Sequence, residues 1–339
     1  MNYLINVFRK SLPNPINFST MDRQPFDLFH CCIKIACIAL LLIQQCPSLA
    51  QQLQRFEFTQ PKMGTQFQLV FYTSDSSKAR QIAEAAFARV DQLNLILSDY
   101  LAASELNRLS KHAGSGEWIK VSKDLWQVLC FAQEISGATN GIFDVSIKPL
   151  SKLWRRMFRQ QVFIGKVKVK AAKKLVNYKW IGLHKKNRSV RLKKTGMQLD
   201  LGGIAKGYTV DQIMEVLQDF GVQQALVNGG GDIAVSNAPP KDSAWVIQLQ
   251  DTLLQFENTA IATSGSTYKY LEWQGKRYSH IIHPKTGMGV THPNIVSVQA
   301  KDCMTADVFA SAFSVMKPKK WKRLIKEYQL TIYLKSADF

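Results

Sequence analysis

Residues 199–211, with the sequence LDLGGIAKGYTVD, constrain the fold of this chain more than any other stretch. Asp200 closes an apolar run, two glycines follow, and a third glycine comes directly after Lys206. This pattern predicts a strand that passes into a helix through a turn free of side-chain bulk. In such a turn the backbone can approach a ligand closely, and main-chain groups at the helix start can bind a phosphate or a metal. A turn in which the glycines only avoid clashes fits the same letters.

The positive charge of the chain is concentrated in one segment. The chain has 339 residues, 46% of them hydrophobic, which is enough for one large domain or two small ones, and its formal net charge is +19. Residues 148–194 contain 17 Lys or Arg and no Asp or Glu, so this basic segment supplies 17 of the net 19. No nucleic-acid-binding motif accompanies it. We interpret it as a solvated face that can contact an anionic membrane surface, with no nucleic acid as partner.

The first 50 residues are typical of a leader with a secretory signal peptide. An apolar run at residues 33–43, IKIACIALLLI, precedes Ser48 and Ala50, and small residues of this kind are typical of a cleavage site. We therefore predict a leader and signal peptide at residues 1–50 and one domain at residues 51–339. The protein is expected to be exported to the periplasm, where it can associate with the inner membrane. If uncleaved, the apolar run would serve as an N-terminal anchor, for which its length is marginal.

Hydrophobic periodicity predicts both helices and strands. Helical spacing of apolar residues predicts a short helix opening at Ser104 and helices at residues 77–97, 122–136, 208–220 and 303–316. Alternation and β-branched or aromatic content predict strands at residues 66–73, 178–183, 189–192, 225–235, 245–250 and 260–266. Three glycines interrupt the strand at residues 225–235, which indicates a bulge or a close backbone approach. The fold class is therefore α+β, with a mixed β-sheet core flanked by helices.

Three side chains outside the glycine turn are candidates for a ligand site. Tyr100 lies at the tip of a predicted turn, where its ring can stack on a ligand or, more commonly, cover the core. Asp144 precedes Pro149, and its carboxylate can accept hydrogen bonds from a ligand or cap the next turn. Thr263 belongs to a group of small hydroxyl residues, ATSGS, at a strand end, where hydroxyl groups can bind phosphate or ribose.

Two further patterns indicate metal binding and acid–base chemistry. Asp307 and Ser311 are four residues apart in a predicted helix, which places a carboxylate and a hydroxyl on one face. Hard oxygen ligands of this kind suit Mg²⁺, although helix capping is the ordinary role of such an aspartate. His280 and His283 lie on a strand that enters a turn, where a three-residue offset points them to opposite faces. One histidine is therefore expected to act as a base or phosphate contact, and the pair is not expected to bind a metal.

Eight motifs, in order along the chain, resemble one known family. They are Met63-Gly64-Thr65, SDYLAASELNRL, NGIFDVSIKPL, LDLGGIAKGYTVD, VNGGGDI, ATSG, HIIHPKTG and ADVFASAF. LDLGGIAKGY and HIIHPKTG are the most specific of them. Over residues 63–316, nearly all of the predicted domain, the chain resembles the ApbE-type FAD:protein FMN transferases, and the resemblance implies an ApbE-like flavin transferase fold.

The resemblance also implies a reaction and a set of site residues. The reaction would be Mg²⁺-dependent transfer of FMN from the substrate FAD to a Ser or Thr hydroxyl of a partner protein, with release of AMP. By position, FAD would be bound by Met63, Tyr100, Ile142, Phe143, Asp144, Asp200, Lys206 and His280, with Thr263 as a further FAD-binding candidate. The Gly203 carbonyl, Asp307 and Ser311 would bind Mg²⁺, and His280 would be the catalytic base. The acceptor would be a flavin-carrier protein with a Ser/Thr flavinylation motif, such as a subunit of a respiratory or redox membrane complex.

Two positions depart from the family pattern, and two other functions are compatible with the motifs. Ser311 stands where the family usually has Thr and keeps the hydroxyl, whereas His283 replaces the usual Asp with a mostly neutral ring. One other function is FAD pyrophosphatase, giving FMN and AMP; members with this activity resemble one another in carrying Asn at the position of Tyr100, so Tyr100 favours transfer. The other is a non-catalytic flavin-binding protein, against which the oxygen pair of Asp307 and Ser311 argues.

Overall fold

The computed structural model describes residues 52–265, 270–291 and 294–336, which form strands, helices and the turns between them. Residues Gln52–Phe339 form one compact unit. The predicted leader and signal peptide fall outside the described residues. The elements are β1 (Gln54–Lys62), β2 (Thr65–Thr73), α1 (Ser76–Leu97), α2 (Glu105–Lys111), β3 (Ile119–Lys120), α3 (Lys123–Ala138), α4 (Lys148–Gln160), α5 (Lys166–Lys173), β4 (Ile181–His184), β5 (Ser189–Leu192), α6 (Ala205–Asp219), β6 (Ala225–Gly229), β7 (Asp232–Val235), β8 (Trp245–Leu249), β9 (Thr252–Phe256), β10 (Thr259–Gly265), β11 (Tyr270–Trp273), β12 (Lys276–Ser279), β13 (Asn294–Ala300), α7 (Cys303–Phe313), α8 (Lys322–Glu327) and β14 (Thr331–Ser336).

A seven-stranded sheet in the order β1-β2-β6-β7-β10-β13-β14 organises the molecule. Each neighbouring pair in this sheet runs antiparallel, since short turns and hairpins join several of the strands. A parallel bridge occurs outside the named strands, between Ile147 and Gln198, and it is the only trace of the expected mixed pairing among the described residues. Helices pack beside the sheet, and the predicted α+β class is confirmed.

Helices α1 and α6 bury their apolar stripes against one face of the sheet. Phe67, Leu69 and Phe71 of β2 are fully buried in this cluster, which also holds apolar side chains of both helices. The helix predicted at residues 77–97 is therefore correct, although its N-cap is Asp75, whose side chain accepts from the backbone N–H groups of Ser77 and Lys78. On the other face of the sheet, apolar side chains of the β8–β9 hairpin pack against β7 and β10.

Two sequence-based expectations are corrected by the packing. Residues 225–235 are not one interrupted strand but the hairpin β6–β7, because Gly230 and Gly231 adopt φ values of +74° and +98° and reverse the chain. The basic segment is not wholly a solvated face, because it forms the unpredicted helices α4 and α5. Leu150, Trp154 and Met157 of α4 lie at helical spacing and are buried. Among the described residues, no helix combines the length and the apolar content that crossing a bilayer requires.

Candidate active site at the start of helix α6

The glycine turn brings the start of α6 against α7. The predicted turn is correct, since residues 201–204 are non-helical, but α6 begins at Ala205 rather than at residue 208. Residues 193–200 do not form the predicted strand and have only the isolated bridge at Gln198. A Cβ atom placed on Gly203 would lie 2.8 Å from the Ser311 hydroxyl oxygen, so α7 packs directly on the turn. One turn along the helix, the Gly207 N–H donates to the Asp307 carboxylate over 3.2 Å. The three residues expected to bind Mg²⁺, Gly203, Asp307 and Ser311, are therefore neighbours in space.

Gly207 lets the two helices come this close. A Cβ atom at this position would meet the Cys303 carbonyl oxygen and would lie 2.8 Å from the Asp307 Cβ. We expect Gly207→Ala to force α6 and α7 apart, which should lower the free energy of unfolding by about 1–3 kcal/mol and displace Asp307 from the turn. Denaturant unfolding measures the change in stability.

Gly137 provides the matched control for this prediction. It also lies inside a helix, α3, but it is exposed and a Cβ atom there would meet open space. Gly137→Ala should leave stability unchanged or raise the free energy of unfolding by up to about 1 kcal/mol. Equal unfolding midpoints for Gly207→Ala and the parent protein would contradict the close packing of the two helices.

Lys206 pairs with Asp232, a carboxylate for which the sequence predicted no role. Its ammonium group donates to Asp232, which is 1% exposed at the start of β7. Burial lowers the pKa of Lys206, but the Asp232 and Asp307 carboxylates raise it by more than burial lowers it. The net shift of the pKa is therefore upward, and the side chain remains a cation. Asp232 follows the two glycines of the β6–β7 turn, and that turn is the only local signal that could have marked it.

Asp307 has the surroundings of a cation ligand. It is 5% exposed, and burial together with the nearby Asp232 raises its pKa to about 7, while Lys206 acts in the opposite direction. A divalent cation would stabilise the ionised carboxylate, and the adjacent Ser311 hydroxyl and Gly203 carbonyl are hard oxygen donors that suit Mg²⁺. The described residues contain no group of three His, Cys, Asp or Glu side chains arranged for a metal. The donor set here fits Mg²⁺ with one carboxylate, leaving positions for water and phosphate oxygens.

The loop after α3 lies against the same turn. A Cβ atom on Gly203 would lie 3.4 Å from the Phe143 ring, and the Asp200 N–H donates to the Val145 carbonyl oxygen over 2.8 Å. Of its two expected roles, ligand contact and turn capping, Asp144 has the capping role in the structure. Its carboxylate accepts from the Ser146 N–H and hydroxyl and from the Tyr178 N–H, at 2.6–2.9 Å, and so holds the loop in place. Ile142 and Phe143 precede it at the edge of the site.

Tyr100 and Asp200 are joined by a residue that sequence reasoning missed. The Arg155 guanidinium lies 4.3 Å from the centre of the Tyr100 ring and donates to the Asp200 carboxylate over 2.7 Å. It also donates to the Asp99 carboxylate over 2.5 Å, and Lys148 approaches the same carboxylate to 3.0 Å. Tyr100 is 76% exposed, so the expectation that it covers the core is wrong. The signal in the sequence was the seven-residue spacing of Lys148 and Arg155, which places both on one face of α4.

Met63, Thr263 and His280 lie on other elements. Met63 has a φ of +50° in the β1–β2 turn, and its sulfur lies 3.6 Å from the hydroxyl of Thr209 on α6. Thr263 is exposed on β10, with its hydroxyl 2.9 Å from that of Ser297. His280 is exposed directly after β12. The contacts described above thus connect Met63 to the α6 cluster and do not include Thr263 or His280.

His283 occupies a tight turn in which a carboxylate would fit. The Lys285 N–H donates to the Nδ1 atom of His283 over 3.2 Å, and the His283 carbonyl oxygen accepts from the Gly287 N–H over 2.8 Å. An aspartate can accept the same hydrogen bond in an Asx turn. We expect His283→Asp to retain or improve activity and to keep the parent stability, as measured by AMP release and thermal unfolding. A large loss of activity in a folded variant would show that the imidazole itself is needed.

Comparisons with known proteins match this architecture along most of the chain. The ApbE family model matches residues 63–334. A relative from Vibrio cholerae named FAD:protein FMN transferase is 28% identical over 313 residues, which covers 88% of this chain and 92% of that protein. A relative of the same name from Chlamydia muridarum is 27% identical over 290 residues, covering 84% of this chain and 90% of that protein.

Solved structures agree with the sequence relatives. The structure of flavin transferase ApbE from Vibrio cholerae has a TM-score of 0.75 at 25% identity, covering 85% of this chain and 95% of the other. The ApbE protein of Thermotoga maritima has a TM-score of 0.74 at 26% identity, covering 84% and 97%. The expected ApbE-like fold and the expected class of enzyme, a transferase, are confirmed by these similarities. Since the family match extends over most of its length, the chain belongs to the ApbE family.

Proposed function

We propose that this protein transfers FMN from FAD to a Ser or Thr hydroxyl of a partner protein in a Mg²⁺-dependent reaction that releases AMP. The observation that carries the proposal is the cluster at the start of α6, where the half-buried cation Lys206 lies near the oxygen donors Gly203, Asp307 and Ser311. Such a cluster suits a pyrophosphate that is about to be split. The names of the relatives support FAD as the donor and a protein as the acceptor.

The proposed reaction gives separate roles to His280, to Lys206 and to the oxygen donors. The acceptor hydroxyl oxygen forms a bond to the FMN phosphorus, the bond from that phosphorus to the bridging oxygen breaks, and AMP leaves with that oxygen. His280 takes the hydroxyl proton, because an imidazole exchanges protons near neutral pH. Lys206 neutralises charge that develops on the leaving phosphate. Mg²⁺ held by Gly203, Asp307 and Ser311 would supply further charge stabilisation to the pyrophosphate oxygens.

The flavin half of FAD would lie on the aromatic side of the site. Tyr100 presents an exposed ring that can stack on the isoalloxazine, and Phe143, which is buried against the glycine turn, would line the site beneath the flavin half. Met63, Ile142, Asp144 and Asp200 would shape the pocket around it, and Thr263 would contact phosphate or ribose. This arrangement leaves the phosphates of FAD directed toward Lys206.

The acceptor is expected outside the cytoplasm. We infer export to the periplasm from the signal peptide, with a flavin-carrier protein or a subunit of a redox membrane complex as partner.

Exposed lysines of α5 and the apolar side chains of Val162 and Val167, 57% and 84% exposed, support contact with an anionic membrane surface. Sedimentation with phosphatidylglycerol vesicles tests this contact. Salt-sensitive binding that Val167→Asp weakens is expected, and equal binding to neutral phosphatidylcholine vesicles would contradict it.

One assay separates the three candidate functions. The purified domain is incubated with FAD, Mg²⁺ and a flavin-carrier domain that bears a Ser/Thr acceptor, and AMP release is measured beside the mass of the acceptor. AMP release with a covalent FMN mass increase is expected. AMP with free FMN and an unmodified acceptor would indicate a pyrophosphatase, and FAD binding without AMP would indicate a non-catalytic flavin-binding protein.

A further inference from the structure

The backbone around Tyr100 is held firmly, although its side chain is exposed. The Ser98 hydroxyl accepts from the Tyr100 N–H over 3.2 Å, and the Asn107 amide donates to the carbonyl oxygens of Asp99 and Leu101 over 3.1 and 2.8 Å. An exposed aromatic ring ordinarily samples several rotamers, which weakens stacking on a ligand. The orientation of this ring therefore depends on what contacts its faces.

Arg155 contacts one face of the ring and is itself anchored on two sides. Its guanidinium lies 4.3 Å from the ring centre, and its two terminal nitrogens donate to Asp99 over 2.5 Å and to Asp200 over 2.7 Å. Both carboxylates are buried, at 9% and 8% exposure. A planar guanidinium held at both nitrogens has little freedom, so it gives Tyr100 a fixed surface to stack on. Arg155 thus connects the Tyr100 loop to the glycine turn.

The charges around Arg155 argue against direct phosphate binding. Arg155 and Lys148 face the two carboxylates of Asp99 and Asp200, so two cations are balanced by two anions. Asp200 also accepts from the Gly202 N–H over 2.9 Å and from the Ser151 hydroxyl over 2.5 Å. A cluster of two cations and two anions without net charge has little attraction for a pyrophosphate, whereas the neighbouring ring remains available to a flavin.

We propose that Arg155 is a positioning residue that fixes the Tyr100 ring relative to the glycine turn and thereby sets the affinity for the flavin half of FAD. This inference rests on the proposed function, in which Tyr100 stacks on the flavin. Loss of the cation–π contact should weaken FAD binding about 3- to 30-fold. Binding of ADP, which lacks the flavin, should be unchanged. In turnover, the KM for FAD should rise while kcat stays within about twofold, because the contact is made equally before and during the reaction.

The test compares Arg155→Met and Arg155→Lys with the matched control Arg156→Met. Arg156 is the next residue of the same helix, is exposed and donates to Gln160. FAD binding is followed by flavin fluorescence and ADP binding by calorimetry. Both Arg155 variants should bind FAD more weakly. Methionine carries no charge, and the ammonium group of lysine cannot contact two carboxylates and also stack on the ring. The control Arg156→Met should bind FAD as the parent does. Equal weakening of FAD and ADP binding would overturn the proposal in favour of a general structural or phosphate-binding role.

A double-mutant cycle with Tyr100→Ala makes the test independent of any effect on folding. Because Tyr100 is mostly exposed, removing its ring should not alter stability. Arg155→Lys should weaken FAD binding in the parent but have little further effect beside Tyr100→Ala. Equal effects in both backgrounds would overturn the proposal. A parent protein that does not bind FAD would instead disprove the proposed function, so the two failures are distinguishable.

Discussion

Asp307→Asn should abolish Mg²⁺-dependent AMP release while leaving the protein folded. The amide keeps the volume of the carboxylate and can accept the Gly207 N–H hydrogen bond, but it carries no charge for a cation. A catalytic metal supplies several kcal/mol of stabilisation to developing charge, and each ~1.4 kcal/mol is a factor of ten. We therefore expect the rate to fall by more than about a hundredfold.

Ser311 supplies the controls for this experiment. Ser311→Thr keeps the hydroxyl and should keep activity, whereas Ser311→Ala should lower it. A second readout is independent of turnover: Mg²⁺ should raise the unfolding temperature of the parent protein and not that of Asp307→Asn, because only a bound ligand stabilises the folded state. Chelation with EDTA should remove the activity of the parent, and added Mg²⁺ should restore it. Activity of Asp307→Asn near that of the parent would exclude this carboxylate as a metal ligand.

Lys206→Met should be inactive and strongly destabilised, for two different reasons. The variant removes the cation proposed to neutralise the leaving phosphate, which affects activity. It also leaves Asp232, which is 1% exposed, as a buried carboxylate without its ion-pair partner. Breaking a buried pair in this way costs about 3–5 kcal/mol of unfolding free energy, measurable by denaturant unfolding.

The double variant Lys206→Met with Asp232→Asn separates the two effects. Removing both charges should recover most of the lost stability, since no unpaired charge remains buried. AMP release should stay absent, because neither methionine at position 206 nor asparagine at position 232 supplies a positive charge. Recovery of both stability and activity would show that Lys206 serves only to pair with Asp232. Asp232→Asn alone should be less destabilising than Lys206→Met, since Lys206 is partly exposed to solvent.

Local sequence patterns predicted the elements that carry the site but not all of its contacts. The glycines around Lys206 indicated the turn and the start of α6, and the spacing of Asp307 and Ser311 placed both on one face of α7. Helix α1 begins at Ser76, one residue before its predicted start, and Gly137 lies inside α3 rather than after it, because hydrogen bonds of the whole helix decide its ends. The helices of the basic segment were missed because its charges obscured the apolar stripe of α4.

The ion pairs of the site are the part that no local pattern contains. Lys206 and Asp232 are 26 residues apart, and Arg155 reaches Asp200 and Asp99 across 45 and 56 residues. The contact of Arg155 with the exposed Tyr100 ring likewise joins residues that are far apart in the sequence.

By itself the sequence determined the α+β class, the glycine turn and the residue types at the proposed metal and phosphate positions, because spacing along one helix or strand decides which side chains share a face. The tertiary structure alone decided that β6 and β7 form a hairpin that brings Asp232 to Lys206, and that α4 brings Arg155 to Tyr100. The physical reason is that a buried charge is stable only beside a partner of opposite charge. Which residue lies beside it depends on the packing of the whole chain rather than on its neighbours in the sequence.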